Sequence, residues 1–129
     1  MIALPDTNAY TAAARGDEPL LENLGRASHI LMSSIVVGEL EYGFRHGTRC
    51  QQNRHQLDEF LAESYVDFLT ISRDTSIHYG LISSELRAGG NEIPSNDAWI
   101  AAHAREYSAV LWTRNRHFQV VTGVSTRQW

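Results

Sequence analysis

The sequence predicts an α/β protein in which helices cover a mainly parallel sheet of four or five strands. Short apolar runs alternate along the chain with longer segments of helical period, which is the pattern of β-α units. The length of 129 residues suits a single domain, residues 1–129, and no linker, repeat or low-complexity segment divides it. The one cysteine, Cys50, cannot form an internal disulfide, so we expect packing alone to stabilise the core.

Four short segments rich in apolar and β-favouring residues are predicted as strands. They span residues 2–4, 29–32, 66–71 and 109–112. A fifth and weaker candidate, residues 120–125, would form an edge strand of the same sheet.

Five helices are predicted from apolar residues that recur at helical spacing. They span residues 18–27, 34–46, 49–64, 75–88 and 96–107. Ser34, Asp74 and Ser95 are the expected N-caps of the second, fourth and fifth of these helices. Short polar side chains at such positions accept hydrogen bonds from the free N–H groups of the first turn. Gly89 and Gly90 are expected to end the fourth helix.

Absent residue types exclude several classes of enzyme. All 11 positive charges are arginines, so Schiff-base, pyridoxal-phosphate and lysine-containing phosphate-loop chemistry are excluded. Neither G-x-G-x-x-G nor G-x-S-x-G occurs, which excludes a dinucleotide fingerprint and a nucleophile elbow. The N-terminus has no secretory signal pattern, and no apolar run approaches the length of a membrane span. We therefore expect a cytoplasmic protein with no membrane partner.

Three carboxylates are predicted to meet beyond the carboxyl ends of the strands, where open α/β sheets place their sites. Asp6 follows the first strand, Glu39 lies one turn into the helix after the second, and Asp97 lies in the first turn of the last helix. Carboxylates that meet repel one another unless a cation lies between them. Oxygen ligands favour Mg²⁺ or Mn²⁺ over zinc, and such a site predicts phosphodiester hydrolysis by metal-activated water.

Each of these residues also has a structural interpretation. Asp6 and Asp97 are both placed to cap helices, whereas Glu39 stands in an apolar context where an unpaired carboxylate is costly. Thr7 and Asn8 either orient Asp6 or form a turn at the strand end.

Two groups of basic residues are candidates for contact with the phosphate groups of a substrate, although the net charge is −4. Arg114, Arg116 and His117 flank the predicted site. The other group surrounds a helix junction, and a solvated face is the preferred interpretation for it; it comprises Arg45, His46, Arg49, Arg54 and His55. A metal-independent enzyme that cleaves phosphodiesters would need positioned imidazoles, such as that of His117, and its cleavage would survive a chelator. Trp99 and Trp112 follow the apolar rhythm of their elements and are expected in the core.

Four segments in order along the chain resemble the motifs of PIN-domain ribonucleases, above all the VapC toxins of type II toxin–antitoxin modules. The segments are LPDTNAY at 4–10, SIVVGEL at 34–40, IPSNDAWIAA at 93–102 and TRNRHF at 113–118. This resemblance implies a three-layer α/β/α fold and a Mg²⁺- or Mn²⁺-dependent endoribonuclease that acts on tRNA, rRNA or mRNA. It also implies a homodimer and a cognate antitoxin whose C-terminal segment reaches the acidic site.

The resemblance assigns the metal to Asp6, Glu39 and Asp97. The predicted substrate-binding residues lie beside the site residues and are Thr7, Asn8, Arg114 and Arg116. Asn115 stands where many relatives have aspartate, so it is expected to act as a weaker fourth ligand without a negative charge. The same substitution leaves a second hypothesis open, in which the chain is a catalytically weak or inactive PIN-like protein that acts by binding RNA or its antitoxin.

Overall fold

One parallel five-stranded sheet forms the centre of the protein. The structure, a computed structural model, describes residues 1–129. The strands are β1 (Ile2–Pro5), β2 (His29–Ser33), β3 (Val66–Leu69), β4 (Val110–Trp112) and β5 (Ser125–Arg127). Their order in the sheet is β3-β2-β1-β4-β5, and every neighbouring pair is parallel.

Six helices flank the sheet and complete the predicted three-layer α/β/α fold. They are α1 (Thr7–Ala14), α2 (Glu18–Gly25), α3 (Ser34–Arg45), α4 (Cys50–Leu61), α5 (Arg73–Ala88) and α6 (Ser95–Tyr107). The chain runs outward from β1 to β3 through α1–α4 and returns across the sheet to β4 through α5 and α6. Right-handed connections therefore place these two sets of helices on opposite faces. None of the helices combines the length and the hydropathy of a membrane span.

The order of the strands reverses between β1 and β4, and this reversal positions the site. A ligand crevice opens beyond the carboxyl ends of the strands at such a point. Asp6 directly follows β1, and Thr113 directly follows β4. Beneath this edge lies a core of 25 buried residues that includes Trp112, as predicted, while Trp99 is half-buried and its ring stacks on Tyr79 at 3.9 Å.

Two elements differ from those predicted. The eight-residue helix α1 is not among the five predicted helices, although Asp6 was considered as a helix cap; it forms because the Asp6 carboxylate accepts the Ala9 N–H and so caps its first turn. Residues 120–125 do not form the fifth strand, since a 3₁₀ helix at Arg116–Val120 and a turn at Gly123, where φ is +78°, occupy most of that segment. The edge strand β5 follows at Ser125–Arg127.

The expected caps are each displaced. Ser33 caps α3 in place of Ser34, and Ser72 caps α5 through a capping box with Thr75 in place of Asp74. Ser95 is the first residue of α6, which has no side-chain cap because Pro94 precedes it. A side chain caps only from an extended residue outside the helix, and each helix begins one or two residues earlier than its polar sequence suggested.

Candidate active site

Asp6 lies at the carboxyl end of β1 with both carboxylate oxygens engaged. Oδ1 accepts the Ala9 N–H at 2.8 Å, and Oδ2 accepts the Thr113 hydroxyl at 2.5 Å. Only 6% of Asp6 is exposed. The cap interpretation and the site interpretation of this residue are therefore compatible, because one carboxylate starts α1 and also faces the crevice.

Burial raises the pKa of the Asp6 carboxyl above its ordinary value. The hydrogen bonds from Thr113 and Ala9 oppose that rise, while the negative charges of Asp97 and Glu39 add to it. Both of the other predicted carboxylates are thus close enough to repel Asp6. The fold brings together three acidic residues that are far apart in the sequence.

Glu39 is half-buried on α3 and receives two hydrogen bonds from neighbouring elements. The Thr7 hydroxyl donates to Oε1 at 2.6 Å, and the Asn96 amide donates to Oε2 at 3.4 Å. Thr7, predicted to bind substrate, therefore contacts a carboxylate and holds it in position. The neighbouring Asn8 is exposed at the site rim and makes no side-chain hydrogen bond within the protein.

Asp97 lies in the first turn of α6, where the helix macrodipole favours a negative charge. Its Oδ2 lies 2.8 Å from Nδ1 of His117 and 3.4 Å from Nδ2 of Asn115. Asp97 therefore meets two nitrogen atoms from the segment that follows β4.

Asn115 turns its amide nitrogen, and not its oxygen, toward the other site residues. Its Oδ1 accepts the His117 N–H at 2.9 Å and so starts the 3₁₀ helix, which leaves Nδ2 to face Asp97. An amide flip would place two donors against each other at His117. In this arrangement Asn115 is a neutral donor to Asp97.

The two arginines predicted to bind substrate differ in their surroundings. The Arg114 guanidinium donates to the carbonyl oxygen of Trp129 at 3.1 Å and lies 4.3 Å from the centre of its ring. Arg114 is thus bound to the C-terminal residue. Arg116 is exposed and has no ion pair, so it remains available to a ligand.

The donor set fits a hard divalent cation in chemistry and charge. Neither Asp6 nor Glu39 forms an ion pair, and Asp97 pairs only with His117. The side chains as placed do not form a ready group of three His, Cys, Asp or Glu ligands. A cation at this site therefore requires some movement of the carboxylate side chains.

Thr113 belongs to the fourth motif segment, but no role was predicted for it from the sequence. The side chain is buried, and its hydroxyl links Asp6 to the Asn115 N–H, which it accepts at 2.9 Å. The sequence signal for this role is a hydroxyl residue directly after β4, the strand that pairs with β1.

The fold and site define a parallel α/β protein with a cluster of carboxylates at its switch point. A family model of the PIN domain matches residues 3–124. Ribonuclease VapC2 of Rickettsia felis is 34% identical over 100% of this chain and 98% of its own length. Ribonuclease VapC2 of Haemophilus influenzae is 34% identical over 96% and 95% of the two chains.

A solved structure agrees with these relatives over the whole fold. This is the crystal structure of VapBC2 from Rickettsia felis bound to a DNA fragment from its promoter. The matched chain superposes with a TM-score of 0.88 at 31% identity, and the match covers 100% of this chain and 99% of that chain. The chain therefore belongs to the PIN domain family, and within it to the VapC group.

Proposed function

We propose that this protein is an endoribonuclease toxin that hydrolyses RNA phosphodiester bonds with Mg²⁺ or Mn²⁺. The observation that carries the proposal is the convergence of Asp6, Glu39 and Asp97 without an arginine to neutralise them. Relatives named as ribonucleases over almost the full length of the chain support the nuclease activity. The absence of lysine is consistent with direct attack by water, which needs no covalent nucleophile.

In this proposal Asp6, Glu39 and Asp97 hold the cation. When bound, the cation supplies a nucleophilic water near neutral pH and neutralises charge on the phosphate. Thr113 fixes Asp6, while Thr7 fixes Glu39, so that two of the three ligands are held by short hydrogen bonds before RNA arrives. Arg116 is the free cation at the rim and attracts the phosphate backbone.

The test is cleavage of total RNA by antitoxin-free protein with Mg²⁺, with Mn²⁺ and with EDTA. Asp97→Asn removes one ligand charge, and Asp58→Asn makes the same chemical change at an exposed position of α4. We expect discrete, chelator-sensitive cleavage that is lost only in Asp97→Asn. Cleavage that persists in EDTA would instead favour acid–base catalysis by an imidazole such as that of His117.

Asn115 favours a second candidate function, in which the protein binds RNA or its antitoxin without efficient cleavage. Its amide nitrogen faces Asp97 and its oxygen is already hydrogen-bonded, so a fourth oxygen ligand is missing from the site as it stands. Wild-type protein that binds RNA but cleaves none with either metal, and becomes active as Asn115→Asp, would support this alternative.

We propose that a cognate antitoxin docks in an apolar groove of about 540 Å³ on α1, α2 and α4. Leu21 and Tyr65 at this groove are each 45% exposed, which is high for large apolar side chains. The solved VapBC structures of relatives support an antitoxin partner, and an amphipathic helix is the form of partner that such a groove accepts.

We also propose that the protein acts in the cytoplasm, where RNA and the antitoxin would be encountered, and that it forms a homodimer. Ile77 and Leu81 lie one turn apart on the same face of α5 and are 45% and 52% exposed. This apolar pair supplies a surface for a second copy, separate from the antitoxin groove.

A further inference from the structure

A cleft of about 670 Å³ extends from Glu39 along α1, between this helix and helices α3 and α4. Thr7, which begins α1, lines the cleft together with its hydrogen-bond partner Glu39. Arg15, which follows the last residue of α1, lines it as well, with Arg49 at the start of α4. An eight-residue helix is about 12 Å long, so the cleft joins the acidic site to Arg15 at roughly that distance, and Arg49 lines the same cleft.

The two arginines of this cleft are free, unlike Arg54 on α4. Arg54 donates to both carboxylate oxygens of Glu41, at 3.2 Å to Oε1 and 2.9 Å to Oε2, and is therefore occupied. Arg15 and Arg49 are exposed and have no ion pair and no side-chain hydrogen bond. Asn53, also in the cleft, offers an unpaired amide. The cleft thus presents unused donors beside a site that is otherwise acidic.

We infer that this cleft binds single-stranded RNA next to the scissile phosphate, with Arg15 and Arg49 contacting backbone phosphates. The inference rests on the proposed ribonuclease function. Guanidinium groups bind phosphate through two parallel hydrogen bonds, and a chain of net charge −4 needs such local cations to hold RNA. Sequence-specific recognition of RNA mostly uses unpaired strands, whose backbone and bases are accessible to side chains.

The position of Glu39 favours a strand of RNA over an acidic peptide that ends in the cleft. Glu39 also lines a second cleft, of about 620 Å³, which Tyr42 and Asn96 share on the other side. A strand that is cut at the carboxylates must continue past them in both directions. The two clefts that meet at Glu39 provide a path for both parts of that strand.

The test measures binding separately from cleavage. A fluorescein-labelled oligouridylate of about ten nucleotides is titrated with protein in EDTA, and fluorescence anisotropy gives the affinity at several NaCl concentrations. The variants are Arg15→Gln, Arg49→Gln and the double variant. Arg73→Gln is the matched control, because Arg73 is an exposed, unpaired arginine on α5 that lines neither cleft. Thermal unfolding of each variant confirms that it is folded.

We expect each single variant to reduce the slope of log affinity against log salt by about 0.7, and the double variant by about twice that. The double variant should bind the oligonucleotide about tenfold more weakly, whereas Arg73→Gln should bind like wild type. Slopes and affinities that match wild type in the double variant would overturn the inference.

Two further measurements separate this inference from the proposed activity and from a peptide ligand. Metal-dependent cleavage of RNA by wild type, combined with unchanged salt slopes in the arginine variants, overturns the cleft inference and leaves the ribonuclease proposal standing. Loss of oligonucleotide binding in the variants supports the cleft even where no cleavage is found. A labelled oligoglutamate whose binding depends on Arg15 and Arg49, with RNA binding unchanged, would assign the cleft to an acidic peptide instead.

Discussion

The Thr113 hydroxyl donates a 2.5 Å hydrogen bond to Oδ2 of Asp6, so the ends of two neighbouring strands are joined inside the acidic site. The same hydroxyl accepts the Asn115 N–H, which fixes the start of the segment that reaches Asp97. One buried side chain thereby sets the positions of residues on both sides of the switch point.

Replacement of Thr113 by valine should lower the free energy of unfolding by about 2 kcal/mol, because it leaves a buried charged acceptor and a backbone N–H without a partner at nearly unchanged volume. Thr113→Ser keeps the hydroxyl and should lose much less. Urea denaturation in EDTA measures both variants. Equal stability of the valine and serine variants would contradict the role assigned to the hydroxyl.

Because of the buried His103, we expect the protein to be less stable in mild acid. The ring is buried; Nε2 donates to the Thr70 carbonyl oxygen at 3.2 Å, and Nδ1 lies 2.9 Å from the Ser33 hydroxyl, which donates to it. Burial lowers the pKa of His103 below its ordinary value of 6.5, although the Thr70 carbonyl and Glu106 partly oppose that change. The folded protein therefore stays neutral at this ring while the unfolded chain binds a proton.

Because the unfolded state binds more protons below about pH 6.5, stability is lost as the pH falls through that value. The contribution of one such group reaches at most about 1.4 kcal/mol per pH unit. His103→Gln should be less stable than wild type at neutral pH and should also lose stability less steeply in acid. Urea denaturation between neutral and mildly acid pH compares the two, and parallel curves would show that another group is responsible.

Strands β1 to β4 were predictable because parallel strands appear in the sequence as short apolar runs. Helix α1 was not, since eight residues with three adjacent alanines carry little periodicity, and the helix depends on a capping carboxylate and on packing. The segment after β4 was likewise mispredicted. Its apolar residues belong to a 3₁₀ helix that Asn115 starts, which is a local hydrogen bond with no periodic signature.

The acidic site was predictable to a similar degree. Asp6, Glu39 and Asp97 could be placed together because the ends of parallel strands share one edge of the sheet. The contact between Arg114 and Trp129 could not be foreseen, as it depends on β5 returning the C-terminus to β4. The orientation of the Asn115 amide depends on its hydrogen bond with the His117 backbone N–H and could not be predicted from the sequence either.

Asn115→Asp should make the stability of the protein depend on Mg²⁺. The new carboxylate would replace an amide nitrogen 3.4 Å from Asp97 by a second negative charge, which should lower the unfolding free energy by about 1 kcal/mol in EDTA. Binding of Mg²⁺ to the folded state should reverse the loss, and RNA cleavage should be equal to wild type or faster. Thermal unfolding with EDTA and with MgCl₂ measures the effect.

Asn115→Ala is the control for that experiment, because it removes the contact with Asp97 without adding a charge. We expect it to show no larger response to Mg²⁺ than wild type. A variant Asn115→Asp that melts at the same temperature in EDTA and in MgCl₂ would argue against a cation between these residues.

Leu21→Arg should prevent antitoxin binding while leaving cleavage by the free protein intact. Leu21 lines the apolar groove and is half exposed, so a charge there would have to be buried under an amphipathic helix. We expect at least a tenfold loss of affinity for the cognate antitoxin, measured by calorimetry with purified components. Unchanged antitoxin affinity would move the docking site away from α1, α2 and α4.

Leu81→Arg should convert the proposed homodimer to a monomer and leave antitoxin affinity unchanged, so that it and Leu21→Arg serve as controls for each other. In a two-fold interface each side chain occurs twice, and exposing one leucine costs about 1.5–3 kcal/mol. The dissociation constant should therefore rise by about 100-fold or more, before any repulsion between the two arginines is added. Size-exclusion chromatography with light scattering measures the change. A wild-type monomer, or a dimer that persists in Leu81→Arg but is lost in Leu21→Arg, would place the interface on the groove and not on the exposed face of α5.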